Sequence, residues 1–416
     1  MESQARSFDV VVWGATGFTG KLVAEYLLRQ YGPGGELRWA IAGRNPAKLE
    51  AVRDALGHEL GFPVDDLPIL TGDSDDEASL EALASSTRVM CTTVGPYAQY
   101  GTKLVAACAR LGTHYCDLTG ELPWVRSMID AHEDQARRSG ARIVPSCGFD
   151  SIPSDLGVFY LQREMRARHG VPCRRIKGRV KGFSGGMSGG TAASMLNMLE
   201  EVQKDRSVRR LLADPYGLNP EGRRSGPDVN DSVTPAWDED FGAWTGPFVT
   251  AAVNTRVVRR SAALLDDLYG AEFRYDEAML TGSGPLGWAL AAGLAAGLGA
   301  TMALGAVGPL RRLGSRFLPA PGEGPSKKQR EAGWFDLRFF GAHPEDRGKS
   351  LRARVTGDRD PGYGSTSKML AESAVCLAKD PSDPGGGFWT PASTMGDALI
   401  ERLGARAGLS FSIEAE

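Results

Sequence analysis

Residues 8–20 read FDVVVWGATGFTG. The run Phe8, Asp9, Val10, Val11, Val12, Trp13 is short, β-branched and apolar, the composition of a strand buried in a parallel sheet. It ends at Gly14, and Gly17 and Gly20 follow at three-residue spacing. Beyond them, Leu and Val recur on one face of a predicted helix over 21–28. Strand, glycine turn and helix form the context that a dinucleotide fingerprint requires. Gly14 lets the strand turn sharply, Gly17 lets a pyrophosphate approach the backbone, and Gly20 seats the helix against the strand. Ala15, Thr16, Phe18 and Thr19 complete the cradle. The helix start offers N–H groups and a positive dipole end to the phosphates. A merely glycine-rich βα turn is the bland alternative.

Working outward, a second strand over 37–42 ends in Gly43-Arg44. NAD-binding sheets carry an acidic side chain at this strand end for the ribose 2′-hydroxyl. Here a forked cation stands there instead, and it suits a 2′-phosphate. NADP(H) is therefore expected over NAD(H), against the reading of Arg44 as a surface residue opening a helix at 46–56. A short strand over 67–70 runs into an acidic cluster that can cap a helix at 76–84; within it, Asp73 is a candidate to reach the adenine. A fourth strand, 88–94, leads into Thr93, Val94, Gly95 and Pro96. Ligands lie outside the carboxyl ends of the strands in a doubly wound sheet, so this segment is expected to line the nicotinamide ribose. Helices over 101–111 and 123–138 and strands over 113–116 and 142–145 complete a Rossmann domain, residues 1–155.

Three strand ends at that rim carry reactive groups: Tyr97, Asp117 with Glu121, and Asp150 with Ser151. Each has a structural alternative, because Asp commonly caps helices and Tyr97 can be a packed aromatic. None of the ten tyrosines has lysine four residues on, so short-chain dehydrogenase chemistry is not written in its usual form.

With 416 residues, two domains are expected. A hydrophobic share of 42% and a net charge of −3 argue against disorder and against a nucleic-acid partner. The six cysteines are scattered without a CxxC pair, and the opening residues are no signal peptide, which predicts a reducing cytoplasmic setting. The five histidines lie far apart, so no metal is expected.

After Asp155 the alternation of strand and helix stops. Residues 156–390 read as a mixed α+β substrate and dimerisation domain, and 391–416 as a C-terminal helix packing back on the first domain. A strand over 174–183 leads to a glycine-rich loop at 184–191 and a helix at 192–203. The loop matches GxSxG twice, but the only later histidine is His343, so a hydrolase triad is not favoured. Residues 205–260 read as loops and a lid or interface segment. From Thr281 to Leu310 there is no charged residue, and Arg311, Arg312 and Arg316 follow. The length suits one membrane span. A helix resting on lipid and a helix buried in protein are the alternatives, and lipid contact is preferred because the rest of the chain reads as a soluble enzyme. Strands are expected over 334–340 and 351–356, and a helix over 365–377.

Taken together, GATGFTG (14–20), AGR (42–44), TTVGPYAQYG (92–101), YCDLTGE (115–121), CGFDSIPSD (147–155), SGGT (188–191) and DPGYGSTSKML (360–370) resemble the saccharopine dehydrogenase-like oxidoreductases. Within them the match is to the trans-acting enoyl reductase branch. The resemblance is specific over the first 200 residues and weaker over 205–330. It implies a Rossmann domain, a nicotinamide cofactor, a mixed α+β second domain, and reduction of an α,β-unsaturated acyl or polyketide thioester held on a carrier protein. Such chemistry needs donors for the developing enolate oxygen, and Tyr97, Ser151 or N–H groups of 185–190 are candidates. It also needs a proton for the α-carbon, from Tyr97, a water or a buried carboxyl such as Asp150, with Tyr97 preferred to Asp150. An imine or carbonyl reductase of the saccharopine reductase type, using Arg174, Arg175 and Arg179, is the second reading. A non-catalytic NADP-binding scaffold at a lipid surface is the third.

Overall fold

The computed structural model describes residues 6–185, 205–306, 324–381 and 384–414. The chain divides into two units. The first holds everything up to Phe149 and takes back Gly362–Ala407; the second begins at Asp150.

In the first unit β1 (Phe8–Trp13) is buried along its whole length except for Phe8. It is followed by α1 (Phe18–Tyr31), β2 (Trp39–Gly43), α2 (Pro46–Leu60), β3 (Ile69–Thr71), α3 (Glu77–Ser86) and β4 (Thr87–Thr92). Then come the single turn α4 (Tyr97–Tyr100), α5 (Thr102–Leu111), β5 (His114–Cys116), α6 (Leu122–Ser139) and β6 (Arg142–Val144). The sheet order is β3-β2-β1-β4-β5-β6, all parallel, with the strand Gly387–Phe388 added beside β6. Val11 pairs with Ala40 on one side and Met90 on the other. The order reverses between β1 and β4, which is where a doubly wound sheet opens a ligand crevice. This is the expected Rossmann architecture.

The returning helix Thr366–Lys379 is buried along most of its length and packs on α1 and β4. Its Glu372 accepts hydrogen bonds from the hydroxyls of Tyr26 and Tyr31, both at 2.8 Å. The return thus begins at Gly362 rather than 391, and the last strand, Leu409–Ile413, belongs to the other sheet. Residues 391–416 are therefore not one helix. The boundary between the units also falls before Asp150 and not after Asp155.

The second unit opens with α7 (Ile152–His169) and holds β7 (Arg175–Ser184), β8 (Ala236–Asp238), β9 (Ala243–Gly246), β10 (Arg274–Gly282), β11 (Trp334–Ala342) and β12 (Leu351–Gly357). Its order is Leu409–Ile413, β12, β11, β7, β10, β9, β8, antiparallel except for β7 with β10. Gly157 lets α7 lie against this sheet: a Cβ there would sit 2.6 Å from the Phe339 ring. The stretch expected to be loops, 205–260, contains the helix Arg206–Ala213, the strands β8 and β9 and most of the helix Ala251–Leu264. That last helix carries six polar residues that are buried, Asn254, Thr255, Arg256, Arg259, Arg260 and Ser261, which mask its apolar periodicity in the sequence.

The uncharged segment forms one helix, Gly284–Ala306. Only 11% of its most apolar window is buried, and Leu286 (72%), Trp288 (51%) and Met302 (57%) are exposed. Burial within this chain is therefore not its state.

Candidate active site

The turn after β1 is built as its glycines predict. Gly14 has φ +91°, and a Cβ on it would lie 2.7 Å from Val94 Cγ2. A Cβ on Gly20 would lie 2.1 Å from the Gly14 carbonyl oxygen, so α1 approaches the turn as only glycine allows. Gly14 N and Ala15 N donate to Ala42 O at 3.0 and 3.2 Å, tying the turn to β2. Gly17 is exposed and stands at the N-cap of α1, with no capping side chain and no acid in the first turn. Thr16, Phe18 and Thr19 share this partly open rim. An anion is favoured at such a helix start by the unsatisfied N–H groups and by the dipole.

Arg44 follows β2, is exposed, and has no ion pair or hydrogen bond among the described residues. The next residue, Asn45, caps α2 by accepting from Lys48 N at 3.0 Å. Asp73 closes the turn after β3, its Oδ1 accepting from Asp75 N at 3.0 Å. The cap of α3 is Asp76, which accepts from Ala78 N at 3.1 Å. Beyond β4, Thr93 N donates to Trp13 O at 3.0 Å and Val94 N to Thr92 Oγ1 at 3.2 Å, after which a cis bond joins Gly95 and Pro96. The turn after β1 and the segment 93–96 thus meet at the switch point. The cradle that a Cβ would fill, and the unpaired guanidinium beside it, fit a dinucleotide carrying a 2′-phosphate.

Tyr97 is only 3% exposed. Its hydroxyl donates to Thr92 O at 3.3 Å and accepts from Leu118 N at 3.4 Å, and its ring packs 5.6 Å from that of Trp124. Burial, and next the charge of Asp117, pushes the phenol well above its ordinary value. Glu121 caps α4, its two oxygens accepting from Tyr97 N at 3.0 Å and Ala98 N at 2.8 Å. Asp117, fully buried, accepts from Thr119 N and Ser146 N at 2.9 Å and from the Tyr115 hydroxyl at 2.7 Å. Burial still pushes its carboxyl up to about 6. These three groups therefore hold the strand ends together.

Asp150 and Ser151 open the second unit. The Ser151 hydroxyl donates to the Asp150 carbonyl. The half-buried Asp150 carboxyl has no side-chain partner among the described residues, and burial pushes it up to about 6. Of the glycine-rich loop at 184–191, residues 186–191 lie outside the described residues, as does the predicted helix 192–203.

Sequence reasoning passed over a buried polar group in the second unit. Glu277 Oε1 accepts from Ser154 Oγ at 2.9 Å and Asn254 Nδ2 at 3.1 Å. Its Oε2 has no hydrogen-bond partner among the described residues, and burial pushes the carboxyl up to about 7. The signal was present: Glu277 shares the inward phase of β10 with Tyr275.

A family model of the saccharopine dehydrogenase NADP binding domain matches residues 10–144. The chain is 40% identical to the trans-acting enoyl reductases of Mycobacterium tuberculosis and Mycobacterium ulcerans, over 97% of this chain and of each relative. It is 42% identical to a second M. tuberculosis protein, provisionally given the same name, over 99% of this chain and 98% of that one. Saccharopine dehydrogenase from Saccharomyces cerevisiae superposes with a TM-score of 0.52 at 14% identity, over 98% of this chain and 100% of that one, a likeness of fold. Identity of this order along nearly the whole of both chains, over a glycine cradle and an NADP-binding domain model, means that this protein belongs to the trans-acting enoyl reductase family, an oxidoreductase that uses NADP(H).

Proposed function

We propose that the protein reduces the carbon–carbon double bond of an α,β-unsaturated acyl or polyketide thioester presented on the carrier protein of a separate synthase. The observation that carries this reading is the match along almost the whole chain to proteins named trans-acting enoyl reductase. When bound, the reduced nicotinamide supplies a hydride for the β-carbon. The turn Gly14–Gly20 and the start of α1 hold the pyrophosphate, and Arg44 selects the 2′-phosphate. Negative charge grows on the thioester oxygen and needs preorganised donors. Ser151 serves if its hydroxyl turns from the Asp150 carbonyl; of the candidate N–H groups at 185–190, those of 186–190 lie outside the described residues.

The α-carbon needs a proton, and the surroundings of the two candidates reverse their order. Tyr97 is buried, its hydroxyl is engaged by Thr92 and Leu118, and burial makes it a weaker acid than a free phenol. Asp150 has an unengaged carboxyl raised to about 6, a value suited to proton transfer near neutrality. The imine-reductase reading loses support because two of its three arginines are taken. Arg179, 5% exposed, pairs with Asp238 at 2.7 Å and Asp276 at 2.6 Å, and Arg175 with Asp240 at 3.1 Å.

Helix Gly284–Ala306 supports a place of work at a lipid surface, on the cytoplasmic side. A helix apolar around its circumference is unstable in water, and exposed patches of this kind mark lipid or protein contact. Flotation with anionic vesicles should carry the wild type upward and leave the Leu286→Glu, Trp288→Glu, Leu290→Glu variant behind. Equal flotation rejects the lipid role.

The reaction itself is tested by oxidation of NADPH and NADH with enoyl thioesters, free and carrier-bound, beside 2-aminoadipate semialdehyde with glutamate. Turnover confined to the last pair overturns the proposal.

A further inference from the structure

The amino-terminal edge of the parallel sheet, away from the glycine turn, gathers cations. Arg6 precedes β1, Arg88 is the second residue of β4, His114 opens β5, Arg142 opens β6, and Lys379 ends the helix Thr366–Lys379. Together they line a cleft of about 390 Å³. Such residues can simply answer the carbonyls of helix ends, and Arg6 does so. It donates to Ala84 O at 3.1 Å and Leu111 O at 2.7 Å, and to Thr87 O.

Arg88 spends one nitrogen likewise, its Nη1 donating to Ala378 O at 3.5 Å, but the rest of the donors are not used up in that way. The one acid that lines the cleft, Asp380, and Asp9, which pairs with two of its cations, are already claimed. Asp9, 1% exposed, takes Lys379 at 2.8 Å, Arg38 at 3.3 Å and Arg88 at 3.6 Å. Asp380 takes Arg402, with one contact at 2.7 Å. Arg142 Nη2 donates to Leu377 O at 2.9 Å, but its Nε and Nη1, and Arg88 Nη2, have no hydrogen-bond acceptor among the described residues.

His114 supplies a second, independent observation. Its Nδ1 lies 3.1 Å from the Arg142 backbone N, and its Nε2 lies 3.0 Å from Arg142 Nη2. Burial, with Arg142 next, pushes the imidazole down to about 3, so it is neutral and holds one proton and one lone pair. Both of its nitrogens face N–H donors, so one of the two contacts sets donor against donor. An external oxygen accepting from both resolves it.

We propose that this cleft binds a phosphate or diphosphate group at a second anion site, separate from the cofactor's. Forked guanidinium donors match phosphate oxygens, and the cleft has room for an organic remainder.

The test uses full-length protein saturated with NADPH, so that the cofactor's own phosphate contacts are occupied. Inorganic phosphate, pyrophosphate and phosphopantetheine are titrated calorimetrically at matched ionic strength, and the imidazole resonances of His114 are followed by NMR. Saturable binding that moves those resonances is expected. The Arg88→Gln, Arg142→Gln variant should bind at least about tenfold more weakly, with NADPH affinity unchanged. Tighter binding of phosphopantetheine than of pyrophosphate assigns the phosphate to an organic ligand, and the reverse assigns it to a free anion. Lys379→Gln, at a side chain 33% exposed, should also weaken binding and tests the same cleft where the double variant does not fold. No saturable binding, an unmoved His114, or unchanged affinity in a folded variant overturns the proposal.

Discussion

Replacing Arg44 tests the cofactor assignment where structure and binding separate cleanly. The side chain is exposed and unpaired among the described residues, while Asn45 beside it does the capping of α2. Arg44→Ala should therefore change the unfolding free energy by no more than about 0.5 kcal/mol. On a 2′-phosphate the guanidinium makes charge-assisted bonds, each worth about 1.5–3 kcal/mol. Exposure to water and salt puts the net value at the low end, roughly 1.5 kcal/mol, so NADPH should bind about tenfold more weakly. Arg44→Asp adds repulsion of about 1 kcal/mol per charge at 4 Å in water, bringing the loss to roughly 50-fold or more. NADH lacks the phosphate. Its affinity should hold within about twofold in Arg44→Ala, since only phosphate contacts are lost. It should rise in Arg44→Asp, where a carboxylate can take the 2′-hydroxyl. Nucleotide fluorescence titration reads both constants, and the NADPH preference of the wild type should shrink at high salt. Equal losses for the two nucleotides, or a wild type that binds both alike, would refute the assignment.

Gly20→Ala places a Cβ on backbone, 2.1 Å from the Gly14 oxygen, and should cost about 2–3 kcal/mol in urea unfolding along with most NADPH binding. Asp150→Asn should lower kcat by about 100-fold or more with KM little changed, whereas Tyr97→Phe should lose less than about tenfold. If Asp150 is the proton donor its acid form is required, and with its carboxyl raised to about 6 the wild-type kcat should fall as pH rises through that value. The proposed role is wrong if Asp150→Asn keeps both the rate and that pH profile. Burial raises the Glu277 carboxyl in the folded chain to about 7 from its ordinary 4.5, so the folded state holds a proton that the unfolded chain releases between these values. Stability should thus fall as pH rises from about 4.5 to 7, by on the order of 3 kcal/mol, a trend that Glu277→Gln should flatten in urea titrations at pH 5 and 8.

By itself the sequence determined the Rossmann unit. A buried strand announces itself by its apolar run, and the turn by glycines whose positive φ or close approach no other residue tolerates. Both are local properties, readable wherever the chain is read. It also exposed Arg44, because the residue that follows β2 is fixed once β2 is found. The uncharged run 281–310 was equally plain, but its surroundings were not, since an apolar helix reads alike in a core and in lipid. Tertiary structure decided the partners. Position alone made Tyr97 the better acid, yet Thr92 and Leu118 engage its hydroxyl. Arg179 looked available until Asp238 and Asp276, distant in sequence, closed on it. The seventh strand of the first sheet, Gly387–Phe388, comes from far along the chain. A side chain's chemistry depends on what it is bonded to and how deeply it is buried, and both are set by segments that meet only after folding.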